Sequence, residues 1–267
     1  MTRYNLPVQL HKCAFALALA ASLASTRGAS AQGAGDGFLF RPPNGTVALR
    51  GGFDHAAAGS DVFKFVTDEL TVDRRDFSSA TFVFDVSYKL APRIDLLFSI
   101  ATSRTTIPSE YRGWLENGRP IQQTTQFQRV PLSVSIKSYL AQPGRSVGHF
   151  AWIPKRFAPY VGAGGGVMWY EFNQDGDFID FDTLRRNPLT GLIEQYPKIF
   201  RDRFDSDGWA PTVHAFGGIE VSLTPRLAVT TEGRFQWART PLSRDFVGFD
   251  RIDLSGVTIA SGILVRY

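Results

Sequence analysis

The feature that most constrains this chain is a two-residue alternation of apolar and polar side chains. It recurs in eight segments, and the gaps between them are short and long by turns. Residues two apart in a strand share a face, so each segment has one greasy face and one polar face. In Thr81–Leu90, Phe82, Phe84, Val86, Tyr88 and Leu90 oppose Val83, Asp85, Ser87 and Lys89. Around Phe127–Leu140, Val130, Leu132, Val134, Ile136 and Leu140 oppose Arg129, Ser133, Ser135 and Lys137. In Leu227–Ala238, Leu227, Val229, Phe235 and Trp237 oppose Thr230, Glu232, Arg234 and Gln236, and the last segment carries Val257, Ile259, Ile263, Val265 and Tyr267 on one face.

The eight strands expected are Thr46–Asp54, Thr81–Leu90, Ile94–Thr105, Phe127–Leu140, Pro159–Phe172, Thr212–Leu223, Leu227–Ala238 and Leu254–Tyr267. Ala91-Pro92-Arg93 and Thr224-Pro225-Arg226 read as tight reversals, because proline presets one turn dihedral and cannot donate to a continuing ladder. The stretch after Leu140, with Gln142-Pro143-Gly144, reads as another connection on that side. Opposite lie four longer segments, near 55–80, 106–126, 173–211 and 239–253. Short turns on one rim and long loops on the other predict an all-β, eight-stranded antiparallel up-and-down transmembrane barrel, with short periplasmic turns and long extracellular loops.

Composition supports strands over helices, with 22 Phe, 8 Tyr, 5 Trp and 25 Gly against two Met. The first residues read as a secretory signal: Arg3 and Lys12, an apolar run from Cys13 to Leu23, then small residues at Ala29-Ser30-Ala31. The expected division is a signal peptide over 1–31 cleaved after Ala31, an N-terminal linker over 32–43, and a barrel over 44–267. Beyond the signal there is no cysteine, which removes disulfides and thiol catalysis. Without Arg3, Lys12 and Arg27, Lys plus Arg falls from 29 to 26 against 25 acids. The basic excess belongs to the signal, and a nucleic-acid role loses its electrostatic footing.

Aromatic placement adds to the membrane reading. Phe53, Phe82, Phe127, Trp169 and Trp237 fall near loop-side strand ends, and Tyr88 and Tyr267 near turn-side ends. Two such bands match the girdles of a transmembrane barrel. Parity places Arg50, Asp85, Lys89, Asp95, Arg129, Lys137, Glu220, Glu232, Arg234 and Arg266 on the inward face. An eight-stranded barrel is only just wide enough for side chains, so these charges are expected to pair and plug the lumen.

These residues resemble the small outer-membrane β-barrel families, namely the OmpA transmembrane domain and its OmpX-like and OmpW-like relatives. The resemblance spans roughly Gly45 to Tyr267 and is most specific at the glycine-rich Pro159–Gly166 segment and the terminal aromatic strand ending in Tyr267. It implies outer-membrane localisation in a Gram-negative envelope, partners among outer-membrane lipids and lipopolysaccharide, and recognition of the C-terminal strand by the barrel-assembly machinery. A monomer without cofactor or metal is expected. The resemblance to the OmpA family does not extend to a wall-binding domain after the barrel.

Chemistry of its own is weakly supported. His55, His149 and His214 are scattered, with no metal-binding spacing and no nucleophile elbow. Some eight-stranded barrels modify lipids with Ser and His near the outer leaflet, and His214 is the one histidine placed for that. The 173–209 loop holds Asp175, Asp177, Asp180 and Asp182, then Arg185, Arg186, Lys198, Arg201 and Arg203, among Phe178, Phe181, Tyr196 and Phe200. Calcium or lipopolysaccharide phosphates could meet such groups, although the EF-hand spacing is absent; a solvated loop, hairpin-extended or not, is the plainer reading. The function expected is a structural envelope or surface-interaction role, the alternatives being a narrow, porin-like uptake channel and a lipid-modifying enzyme.

Overall fold

The computed structural model describes residues 38–267 apart from 117, 149–150, 181–183, 187–188, 190–192 and 196–197. The expected signal peptide, its cleavage point, most of the linker, His149, Phe181, Asp182 and Tyr196 lie outside the described residues.

Eight long strands form one closed antiparallel ring. They are β1 (Gly45–Ala56), β2 (Ser79–Ala91), β3 (Ile94–Glu116), β4 (Arg119–Tyr139), β5 (Phe157–Asp180), β6 (Lys198–Ser222), β7 (Leu227–Thr240) and β8 (Gly256–Arg266). Each pairs with its sequence neighbours, and β8 closes on β1 from Thr46–Arg266 to Ala56–Gly256. Closure leaves no unpaired edge within the ring, the condition a spanning sheet must meet in lipid. Among the described residues, no helix is long and apolar enough to cross a membrane.

The wall obeys the two-residue period. Along β7, Ala228, Thr230, Glu232, Arg234, Gln236 and Ala238 are buried, while Val229, Phe235 and Trp237 are exposed. The glycine-rich part of β5 turns Gly162 inward, where a Cβ would run into the Phe216 ring reaching across from β6. Glycine there makes room for a large ring inside a narrow cylinder.

Three expectations about connections need correction. First, β3 and β4 run well past Thr105 and start well before Phe127, and β5 and β6 likewise extend through 173–211. Two of the long loops are thus tall β-hairpins, and β4 stays hydrogen-bonded to β5 up to Gln123–Gly176. Second, the connection after Leu140, expected only as a link on the turn side, holds a small hairpin, Gly144–Val147 with Ala151–Pro154, and Leu39 bridges to Trp152 on its other side. Third, the segment between β1 and β2 contains α1 (Asp61–Glu69) and a 3-10 turn, Arg74–Phe77.

The position of α1 follows from its sequence. Val62, Phe63 and Val66 fall on one face and are fully buried over the loop-side mouth. Both ends are tied down. The Asp250 and Asp253 backbone N–H groups donate to Asp61 and Ser60 at 2.7 and 3.1 Å, and at the other end Arg112 Nε donates to the Leu70 carbonyl at 2.7 Å.

Candidate functional site: the barrel interior

Inward residues stack in layers along the barrel. Nearest the turn side, Glu220 on β6 is fully buried and receives Lys137 from β4, Arg266 of β8 at 3.2 Å and the Tyr139 hydroxyl at 2.8 Å. Lys137 Nζ also lies over the rings of Tyr139 and Tyr160, 4.7 and 4.1 Å from their centres. Asp95 accepts a hydrogen bond from Tyr139 at 3.2 Å. A buried ammonium between two rings and a carboxylate has exchanged its water shell for fixed partners.

The middle layer centres on Arg50. Its guanidinium pairs with Asp85 on β2 and, at 3.0 Å, with Glu232 on β7, which also receives Arg234 at 3.0 Å. Ser99 donates to Asp85 at 2.6 Å and Tyr160 to Glu232 at 3.1 Å. Above it, Arg129 pairs with Asp54 at 2.7 Å and donates to the Leu254 carbonyl at 2.9 Å, while Ser103 and Thr258 also donate to Asp54. Buried Arg50, Arg129, Lys137, Arg234 and Arg266 thus share the interior with buried Asp54, Asp85, Asp95, Glu220 and Glu232, while buried Asp253 lies 3.8 Å from the exposed Arg239.

The loop-side third is built round an aromatic cluster. Phe63 from α1 meets Phe77, Phe127 and Phe172 edge to face at 4.7, 5.3 and 5.6 Å, and Phe172 meets Phe246 at 5.5 Å. Met168, Tyr170, Ile252 and Leu254 complete the cluster. This hydrophobic core is shared about equally between strand residues and the connecting segments.

Of the ten lumen charges expected from parity, nine are buried in these layers. Lys89 is the exception: it sits exposed at the turn-side rim, beside the register shift that ends the β2–β3 ladder. Asp54, Tyr139 and Tyr160 were missing from the expectation. Asp54 was legible, since it lies in phase with Arg50 four residues earlier.

Among the girdle residues, Phe53, Phe82, Tyr88, Trp237 and Tyr267 are exposed on the outer wall, and Trp169 is partly exposed there. Phe127 is a correction. It is 2 % exposed and faces inward with Arg129, whose guanidinium lies 5.2 Å from its ring centre, because residues two apart in one strand share a face. Trp209, directly opposite Trp169 and exposed, stands in the band instead.

His214 lies inside the barrel, 4 % exposed, with Nε2 2.7 Å from Ser135 Oγ. No carboxylate engages its Nδ1 among the described residues, so the pair lacks the group that orients a catalytic histidine. His55 is at the rim, its Nδ1 2.9 Å from Ser78 Oγ. In the tall β5–β6 hairpin, Arg201 pairs with Asp175 at 3.5 Å and Arg203 with Asp205 at 2.9 Å, so acids and bases of this segment meet each other. Among the described residues no group of three or more His, Cys, Asp or Glu could hold a metal ion.

No family model and no curated protein sequence matches the chain. It aligns with solved outer-membrane barrels at low identity. The outer membrane protein OprG of Pseudomonas aeruginosa is 11 % identical, with 86 % of this chain and 99 % of that one covered, at a TM-score of 0.43. Neisserial surface protein A is 9 % identical over 87 % and 98 %, at 0.40. The N-terminal β-barrel domain of Pseudomonas aeruginosa OprF is 11 % identical over 85 % and 100 %, at 0.34.

Proposed function

We propose that this chain is an integral outer-membrane β-barrel with a closed lumen, whose role is structural or at the cell surface, through its tall external hairpins. The observation that carries the closed lumen is the stack itself: balanced ion pairs below and an aromatic core under α1 above. The outer wall supports membrane insertion. Leu49, Phe98, Val134, Ile136, Val213, Ile259 and Ile263 are exposed in a band between the loop-side and turn-side rings. In water such a band would be a large unfavourable apolar surface; in lipid it is the favoured one.

Export through residues 1–31 with cleavage after Ala31, handling of the terminal strand by the assembly machinery, contact with lipopolysaccharide and a monomeric state belong to the same reading. Purified barrel in planar bilayers tests it. The reading expects a quiet membrane; reproducible unitary current steps would replace it with the narrow-channel reading. Loss of compact gel mobility only on heating, in detergent-extracted protein, is expected of the closed ring.

A further inference from the structure

Arg50 is 3 % exposed, and its two terminal nitrogens are taken by Asp85 and Glu232. Its third nitrogen, Nε, meets no acceptor for its N–H among the described residues. An orphaned donor on a buried guanidinium costs more than an ordinary hydrogen bond is worth, so native structures seldom leave one. Beside Arg50 lies a cavity of about 20 Å³ whose lining includes Asp54, Ser103, Arg129, Arg234 and Gln236. A water needs roughly 10–15 Å³ of such space and two to four polar partners.

Charge selects among small acceptors. Arg50, Arg129 and Arg234 are balanced here by Asp54, Asp85 and Glu232, so a halide would add an uncompensated charge to a buried site, whereas a neutral acceptor adds none. The cavity also touches Met168 of the aromatic core and Thr102 and Pro131 of β3 and β4.

We propose that this cavity is a binding site for a single ordered water, which accepts from Arg50 Nε–H and donates to oxygens of the lining. The water completes the coordination of Arg50 and makes it part of the scaffold of the middle layer. This inference stands whether or not the barrel conducts.

The direct test is a crystal structure of the detergent-extracted barrel grown with bromide in place of chloride. Density at hydrogen-bond distance from Arg50 Nε without anomalous signal is expected. An anomalous peak there would assign a halide, and a featureless cavity would leave the donor orphaned; either overturns the proposal. Val83→Thr supplies a second reading, since Val83 lines the cavity and threonine matches its shape while adding a hydroxyl. With water present the hydroxyl has a partner and the unfolding midpoint is unchanged. In a dry cavity it has none, and a fall of roughly 2–4 °C or more would count against the site.

Discussion

The ring of Tyr267 lies across Gly45: a Cβ on Gly45 would come within 2.7 Å of the Tyr267 hydroxyl, which reaches past β1 to donate to the Ser87 carbonyl on β2 at 3.1 Å. The last residue thereby clips the first strand between its two neighbours. It also stands 6.3 Å from Tyr88, edge to face. The seam where the chain's two ends meet is latched by a side chain as well as by the β1–β8 ladder.

The latch predicts a graded pair of effects. Tyr267→Phe keeps the ring and removes the bond to Ser87, costing about 1 kcal/mol. Gly45→Val also displaces the ring and sets a Cβ against the Ser87 carbonyl of β2, so it should lower the temperature at which compact gel mobility is lost by more than Tyr267→Phe does. Equal, negligible effects would mean that backbone pairing alone holds the seam.

Glu220 is the most exacting lumen position, since it satisfies Lys137, Arg266 and Tyr139 together. Glu220→Gln leaves two buried cations short of a partner, and the loss should be on the order of 3–5 kcal/mol. Adding Lys137→Met should recover part of it. Denaturant unfolding in lipid vesicles reads both, and a strictly additive double variant would contradict the coupling.

The loop-side core should behave like the interior of a soluble domain. Phe63→Ala removes a ring that touches three others and should cost about 3–5 kcal/mol or uncouple α1 from the barrel. Hydrogen exchange would then rise in 61–78 while β1 and β8 stay protected. Unchanged exchange in α1 would show that its end contacts suffice.

The barrel was legible in the sequence because the outer and inner faces of a closed ring place opposite demands on alternate residues. In Thr81–Leu90 and Leu227–Ala238 most side chains report their face, Asp85, Glu232 and Arg234 turning inward and Phe82, Phe235 and Trp237 outward. In the strand extensions beyond these segments that contrast fades. Ile107, Ser109 and Tyr111 face inward in β3, but both faces of this extension carry polar residues, so the strand seemed to end at Thr105. The helix α1 is short, and its Val62, Phe63 and Val66 gain meaning only over a mouth lined with Phe127 and Phe172. Phe127 itself was readable from Arg129, two residues on; the general liking of aromatics for membrane interfaces outweighed the stricter rule of parity. Lys89 had the right parity, but parity does not tell how far a side chain lies from the rim.

The sidedness of the wall predicts a sharp contrast between neighbours. Val134 is 45 % exposed on the outer wall and Ser135 is buried inside. Val134→Arg should cost about 2–4 kcal/mol in a bilayer if it sits at mid-membrane. In a protein whose exposed face met water, the same change would be nearly silent.

The central claim, that the exposed apolar face meets lipid and the charged face a closed interior, is tested most directly along β2. Single cysteines at 81–88, in a chain whose one native cysteine, Cys13, is replaced by serine, would carry nitroxide labels in reconstituted vesicles. Collision with dissolved oxygen should peak at 82, 84 and 86 and drop at 81, 83 and 85, while a water-soluble nickel reagent reaches none of them. Labels at 82, 84 and 86 open to the nickel reagent, in protein released from the vesicles without detergent, would contradict it.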